Sequence, residues 1–400
     1  MQRFAIIIAL LAVTGTTNAA DWPQFRGPNG IATSPEINLP TGFSETSGLR
    51  WKVAIPGRGV ASPVIVGGRA FVTSSSGKYD DHLHVICIDT ASGAQLWHRQ
   101  LAATGSTNAH PDTCMAAPTP VADQTGVYTL FASGDLAAFD NDGTLRWYRS
   151  LVEDYPTITN QIGMAASPVL FENKLIVPMD NAGDSFLAAI DTKTGKNLWK
   201  APRVRDISWV TPLVRKLDTG KAEVIFLSKI DLTAYDIETG AKKWTAKVNG
   251  SIPTPTLVGD LLISPSGGVT VAKLGADGLK EVWKSPKLQT GMSSPVYYDG
   301  FVYGTNSTGI VKCANAKTGD IVWEERVKGK FSASPIAADG KLYVFNEAGV
   351  LTTIKLGAMP EIIAESPTNE RGQATPAISG GAIFLRGDKS LFCIGSKVGS

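Results

Sequence analysis

Along this chain a hydroxyl residue followed by proline marks out eight near-regularly spaced points: Ser62-Pro63, Thr119-Pro120, Ser167-Pro168, Thr211-Pro212, Thr254-Pro255, Ser294-Pro295, Ser334-Pro335 and Thr375-Pro376. After the first two steps, which are longer, successive prolines stand 40 to 44 residues apart. (Ala117-Pro118 could serve as the second mark instead.) Each mark opens a short apolar strand, a turn with glycine and a second strand, as in Pro335-Ile-Ala-Ala-Asp-Gly-Lys-Leu-Tyr-Val-Phe345. A third strand then ends in Asp or Asn, and a glycine turn leads to tryptophan. The series reads Asp89…Gly93…Trp97, Asp140…Gly143…Trp147, Asp191…Gly195…Trp199, Asp236…Gly240…Trp244, Asp277-Gly278…Trp283 and Asn315…Gly319…Trp323.

Asp and Gly supply the tight turn between antiparallel strands. The tryptophan beyond it anchors the outer strand against the neighbouring repeat. Four short strands in a period of about 40–45 residues form a propeller blade, which cannot bury its faces alone. Eight marks therefore predict an all-β fold, an eight-bladed β-propeller of four-stranded antiparallel blades. The seventh repeat runs through Lys355-Leu-Gly-Ala-Met-Pro360 without a tryptophan, and the eighth has only three strands when it reaches Ile394. Its missing outer strand is expected to be Leu49–Ala54, which carries Trp51. An N-terminal strand would thus complete the last blade and close the ring, leaving no open edge. The predicted anchors are Trp51, Trp97, Trp147, Trp199, Trp244, Trp283 and Trp323.

The propeller is expected over residues 49–396, preceded by a leader at 21–48. Residues 1–20 read as a cleaved signal peptide: Arg3, an apolar run from Phe4 to Val13, and a small-residue site at Ala19 or Ala20. No cysteine follows that run, so the expectation is an exported periplasmic or secreted protein rather than a lipoprotein. No later stretch has the ~18 apolar residues of a spanning helix. With 38 Lys+Arg against 36 Asp+Glu the formal charge is +2, and no basic run offers a nucleic-acid or anionic-membrane surface. Cys87, Cys313 and Cys393 fall two residues before the Asp position of their repeats, where other repeats have Ala138, Ala189 and Ala234. They read as small buried residues, since equivalent points on packed sheets lie about 10 Å apart, too far for a disulfide. Cys114, in a loop, is the one candidate reactive thiol.

The turn segments resemble the quinoprotein repeat Ala-x-Asp-x-x-Thr-Gly-x-x-x-Trp. Ala189–Trp199 and Ala234–Trp244 fit fully, and Cys87–Trp97 and Cys313–Trp323 deviate at a few positions. The chain is thus similar to the PQQ-like eight-bladed propellers over about residues 49–394. The stretch Asp21-Trp-Pro-Gln-Phe-Arg-Gly-Pro-Asn-Gly30 resembles the start of exported bacterial members. The resemblance implies two function classes. One is the PQQ-dependent alcohol or sugar dehydrogenase; the other is a non-catalytic scaffold like the propeller of the outer-membrane β-barrel assembly machinery. In the enzymes PQQ stacks between a tryptophan and a ring of two adjacent bonded cysteines, and Ca²⁺ on Glu, Asn and Asp oxygens polarises the quinone. This chain has no adjacent cysteines and little length beyond its blades for catalytic insertions. The best-stocked remnants are the connection 99–117, with Asn108, His110 and Asp112, and the segment 153–164, with Asp154, Asn160 and Gln161.

The expectation is accordingly an exported scaffold with no catalytic residues, cofactor or metal; PQQ with calcium is the alternative. Loops entering the inner strands should line the channel mouth and bind an envelope protein or small ligand. They carry Arg58, His110, Gln161, Trp209, Met292 and Arg371, the candidate binding face of a monomer, with Met115, Met164 and Phe331 alongside as packing. Aromatic, Met and Arg side chains are enriched at interfaces. Arg58 and Arg371 flank the ring closure and could grip an acidic group or pair with carboxylates such as Glu370. Asp80-Asp81-His82-Leu-His84 puts two histidines on one strand face. Without a third metal ligand it reads as a solvated polar edge.

Overall fold

The computed structural model describes residues 20–44, 46–159 and 162–396. Residues 1–19 of the expected signal peptide, and the candidate Gln161, lie outside them. Eight four-stranded antiparallel sheets form the propeller. The first blade runs outward from the channel as Val64–Val66, Arg69–Ser76, His82–Asp89 and Gln95–Ala102. In the eighth, Ala377–Ser379, Ala382–Arg386 and Ser390–Ile394 are completed by Leu49–Ala54, with Trp51 opposite Cys393 and Val53 opposite Leu391. The ring closes as the sequence predicts.

The repeating Ser or Thr has a role that strand patterning does not show. The Ser62 N–H donates to Thr119 Oγ1 in the next blade (3.1 Å), and the Thr119 N–H donates to Ser167 Oγ (3.0 Å). The series continues through Thr211, Thr254, Ser294, Ser334 and Thr375 at 2.9–3.3 Å. A series of seven such bonds thereby ties successive inner strands together from the first blade to the eighth and satisfies backbone N–H groups that no strand partner reaches. Ser and Thr are the smallest side chains that can accept such a bond.

The tryptophans join the blades at the rim. A bulge in each of the first six outer-strand pairings falls at the residue opposite tryptophan, as between Cys87 and Ile88, and aims the side chain at the next blade. Trp51, Trp97, Trp147, Trp199 and Trp283 each donate Nε1–H to a carbonyl of the next blade's turn: Thr90, Asn141, Thr192, Ile237 and Ala316, at 2.8–3.0 Å. Their indoles cover Gly93, Gly143, Gly195, Gly240 and Gly319, where a Cβ would lie only 2.5–2.8 Å away and φ is +70° to +79°. Glycine is required there by both space and backbone. Trp244 faces the fifth blade, whose turn departs from the pattern, and its buried Nε1 has no partner.

The leader binds to the propeller, across the face formed by the tight turns. Trp22 exchanges backbone hydrogen bonds with Ile65 (2.7 and 2.8 Å), and Pro23 O accepts from Ala122 N–H (2.8 Å). Arg26, fully buried, donates to the carbonyls of Pro255 (3.2 Å) and Pro295 and to Thr256 Oγ1 (2.6 Å). Further on, Ala32 and Ser34 pair with Ala337, and the Glu36 carboxylate accepts from Gly380 and Gly381 N–H (3.0 and 2.7 Å). The leader also supplies what the seventh blade lacks. Ala364 stands opposite Thr353, where Trp323 stands opposite Cys313 in the sixth. Gly42 lies over Ala364, Phe43 N–H donates to Ser366 Oγ (2.9 Å), and the Phe43 ring reaches Phe392 of the eighth blade.

The four cysteines are buried and unbonded, Cys114 included, and burial pushes its thiol pKa up. The histidine pair corrects the sequence expectation. His84 is 3% exposed, not a solvated edge. Its strand lies between two others, so its ring meets Ser76 Oγ (2.7 Å) and His98 Nε2 (2.9 Å).

Candidate functional site

The loops from each outer strand to the next inner strand gather around one mouth of the central channel. Two residues before each ring hydroxyl, the chain places Val60, Ala117, Ala165, Trp209, Ile252, Met292, Ser332 and Gln373 around that mouth. Only Trp209 and Met292 of this second ring were singled out from sequence. The fixed offset from Ser/Thr-Pro would have found all eight. Phe25 of the leader lines the same space, which measures about 100 Å³.

The mouth has two unlike sides. On the side of the ring closure, Arg58 donates to the Pro111 and Thr113 carbonyls (3.1 and 2.8 Å) and to Gln373 Oε1 (2.8 Å), with Asp388 3.6 Å from its Nε. Arg371, more exposed, lies 3.5 Å from Asp112 and 3.7 Å from Glu347. The two arginines therefore do pair with carboxylates, but not with Glu370. That carboxylate instead accepts from Ser390 Oγ (2.6 Å) and Lys389 N–H (3.1 Å) and meets Lys52 (3.0 Å), bracing the closure. Burial works against its charge, yet these three partners hold its pKa below the usual value. His110 is exposed, and its Nδ1 accepts from Asp112 N–H (3.2 Å). Met115, Met164 and Phe331 are buried packing.

The opposite side is apolar. Trp209 Nε1–H donates to Gly163 O (3.1 Å) and its backbone N–H to Ser251 O (2.8 Å), so one residue ties three loops together. Gly250 N–H reaches Ser228 O (2.9 Å), and Lys229 pairs with Asp206 (2.8 Å), adding a fourth loop. These joined loops expose Ile162, Val204, Ile230 and Ile252, at 36–56% of their surface. Behind them, the buried Asp180 binds both ends of the Arg203 guanidinium (2.7 and 3.0 Å), which stacks on Phe226 (3.8 Å). The apolar loops thus stand on a rigid base.

PQQ with calcium fits this mouth poorly. The space within the second ring, about 100 Å³, is well under the roughly 300 Å³ at which drug-sized ligand pockets begin, and the chain has no adjacent cysteines. Among the described residues no three His, Cys, Asp or Glu side chains are placed to share a metal ion. A larger groove, about 820 Å³, lies on the leader face between Phe25 and the inner turns of the second to fifth blades. It is lined by Leu170, Phe171, Val214 and Leu257.

The family model described as outer membrane protein assembly factor BamB matches residues 43–204, 157–261, 183–284 and 231–390. A polyvinylalcohol dehydrogenase of Sphingopyxis sp. (strain 113P3) is 24% identical over 242 residues, 50% of this chain and 35% of the relative. The outer membrane protein assembly factor BamB of Escherichia coli (strain K12) is 25% identical over 177 residues, 42% of this chain and 45% of the relative. The chain thus spans less than half the length of either. The crystal structure of quinohemoprotein alcohol dehydrogenase from Comamonas testosteroni superposes with a TM-score of 0.72 at 14% identity. It covers 95% of this chain and 81% of that one, and the likeness is one of fold.

Proposed function

Because the chain belongs to the PQQ-like propeller family of outer membrane protein assembly factor BamB, we propose that it is a non-catalytic scaffold that holds an envelope protein against the apolar side of its channel mouth. The observation that carries the reading is the exposure of Ile162, Val204, Ile230 and Ile252 on loops that Trp209 and Lys229 join. Exposed apolar side chains on joined loops, set among charged residues, suit a protein-interaction surface. Here Arg205–Asp184 and Lys229–Asp206 provide those charges. The partner we propose is a periplasmic domain of the outer-membrane assembly apparatus, in keeping with the family description. It would reach a propeller exported through residues 1–20. Among the described residues no helix is long and apolar enough to cross a membrane.

The second reading, a PQQ-dependent dehydrogenase, is favoured by the similarity to polyvinylalcohol dehydrogenase. Against it stand the small volume at the channel mouth and the absence of an adjacent cysteine pair in the sequence. A photo-crosslinking residue at Ile230 should capture an outer-membrane assembly protein, and the same residue at Met359, on the turn face, should not. Ile252→Asp should abolish the Ile230 crosslink while leaving the melting temperature unchanged. Equal capture at both positions, or a crosslink indifferent to Ile252→Asp, refutes the proposed face.

A further inference from the structure

Arg386 ends the second strand of the eighth blade and is 1% exposed. The corresponding positions of the other seven blades hold Thr73, Leu130, Pro178, Leu227, Pro265, Thr305 and Phe345, read from the pairing of inner and second strands. None of these is charged, so the propeller repeat itself does not call for a cation here. In the seventh blade the residue packs across the blade boundary: the Phe345 ring lies against Gly372, three residues before Thr375. Arg386 occupies the same slot against Gly59, three residues before Ser62.

The guanidinium in that slot is incompletely satisfied. Its Nη1 donates to the carbonyls of Gly387 (2.6 Å) and Ser390 (3.2 Å), but buried Nε and Nη2 have no protein partner. Nη2 and Ser74 Cα both lie within 3.4 Å of the point where a Gly59 Cβ would be, and the fully buried Ser74 Oγ is unpartnered too. The nearby charges are engaged elsewhere. Asp388 lies against Arg58, and Glu370 is held by Lys52 and Ser390. Cys114 supplies no thiolate, because its Sγ–H donates to Arg58 O and burial keeps the thiol protonated. An isolated cation in a protein interior costs several kcal/mol unless an opposite charge accompanies it.

We propose that the boundary between the eighth and first blades binds one small monovalent anion of chloride size, held by Arg386 Nε–H and Nη2–H and by the Ser74 hydroxyl. The slot lies at the closure between the eighth and first blades, apart from the apolar loops of the third to fifth blades. The anion completes the ring at the one boundary where the two ends of the chain meet.

The test is thermal melting at constant ionic strength, with sodium chloride replacing sodium gluconate. The unaltered protein should gain about 1–2 °C in a saturable manner. Arg386→Phe, which copies the seventh blade, should melt at the same temperature in both salts. Identical melts of the unaltered protein in the two salts, or an undiminished chloride response in Arg386→Phe, overturn the proposal. Should that variant fail to fold, crystals of the unaltered protein soaked in bromide decide. An anomalous peak within about 3.5 Å of Arg386 Nη2 is expected, and a slot without one contradicts the assignment.

Discussion

Trp199 and Trp244 occupy equivalent positions in adjacent blades and are 8% and 6% exposed. They differ in one respect: Trp199 Nε1–H donates to Ile237 O at 2.9 Å, whereas the Trp244 Nε1–H meets no acceptor. Changing each to Phe removes a similar volume, so the packing loss should be similar and cancels in the comparison. Trp199→Phe also strips the hydrogen bond from a buried carbonyl, whereas Trp244→Phe removes a donor that was already unsatisfied. An orphaned buried group costs about 1–3 kcal/mol, so Trp199→Phe should be the more destabilising by that margin. Urea denaturation followed by intrinsic fluorescence measures it, as a larger fall in midpoint at constant slope. Equal losses, or a greater loss for Trp244→Phe, would refute the claim that the turn carbonyl is what the indole N–H holds.

Thr211→Val keeps the shape of one ring member but deprives the Ser167 N–H of its acceptor; a loss of about 1–2 kcal/mol is expected by denaturation. Phe43→Ala should destabilise by about 1–3 kcal/mol, since the ring fills the site left by the missing tryptophan. The His84 pKa is pushed down to about 4 by burial, then by His98 and His82. The unfolded chain binds that proton near pH 6.5 and the folded protein does not. Stability is therefore complete above about pH 6.5 and declines toward pH 4, and His84→Gln should flatten that part of a melting-temperature profile.

The architecture was legible because each blade must repeat the same solution. Ser/Thr-Pro, Asp-to-Gly turns and tryptophan mark inner strand, turn and rim in order, and Trp51 before the first mark revealed the closure. Less legible were contacts made once. Nothing periodic announces that Gly42 and Phe43 fill the seventh blade's gap, or that Arg26 enters the channel's closed end. His84 looked solvated because His82 and Asp81 beside it are polar. Its burial depends on the outer strand that brings His98 over it. At the mouth, composition drew attention to Arg58 and Arg371, whose charges the structure finds engaged with neighbouring carboxylates. The exposed apolar loops are not legible in sequence, because Ile162, Val204, Ile230 and Ile252 lie far apart along the chain and their loops are joined only through Trp209 and Lys229.

The central claim, a propeller that binds protein rather than a redox cofactor, is tested most directly by titrating the purified protein with PQQ in millimolar Ca²⁺. Melting temperature and alcohol-dependent dye reduction would be followed together. A ligand at about 100 times its dissociation constant adds about 2.7 kcal/mol, enough to move the midpoint by a degree or more. The scaffold account predicts an unmoved midpoint and no dye reduction. A saturable rise accompanied by PQQ-dependent turnover would contradict it.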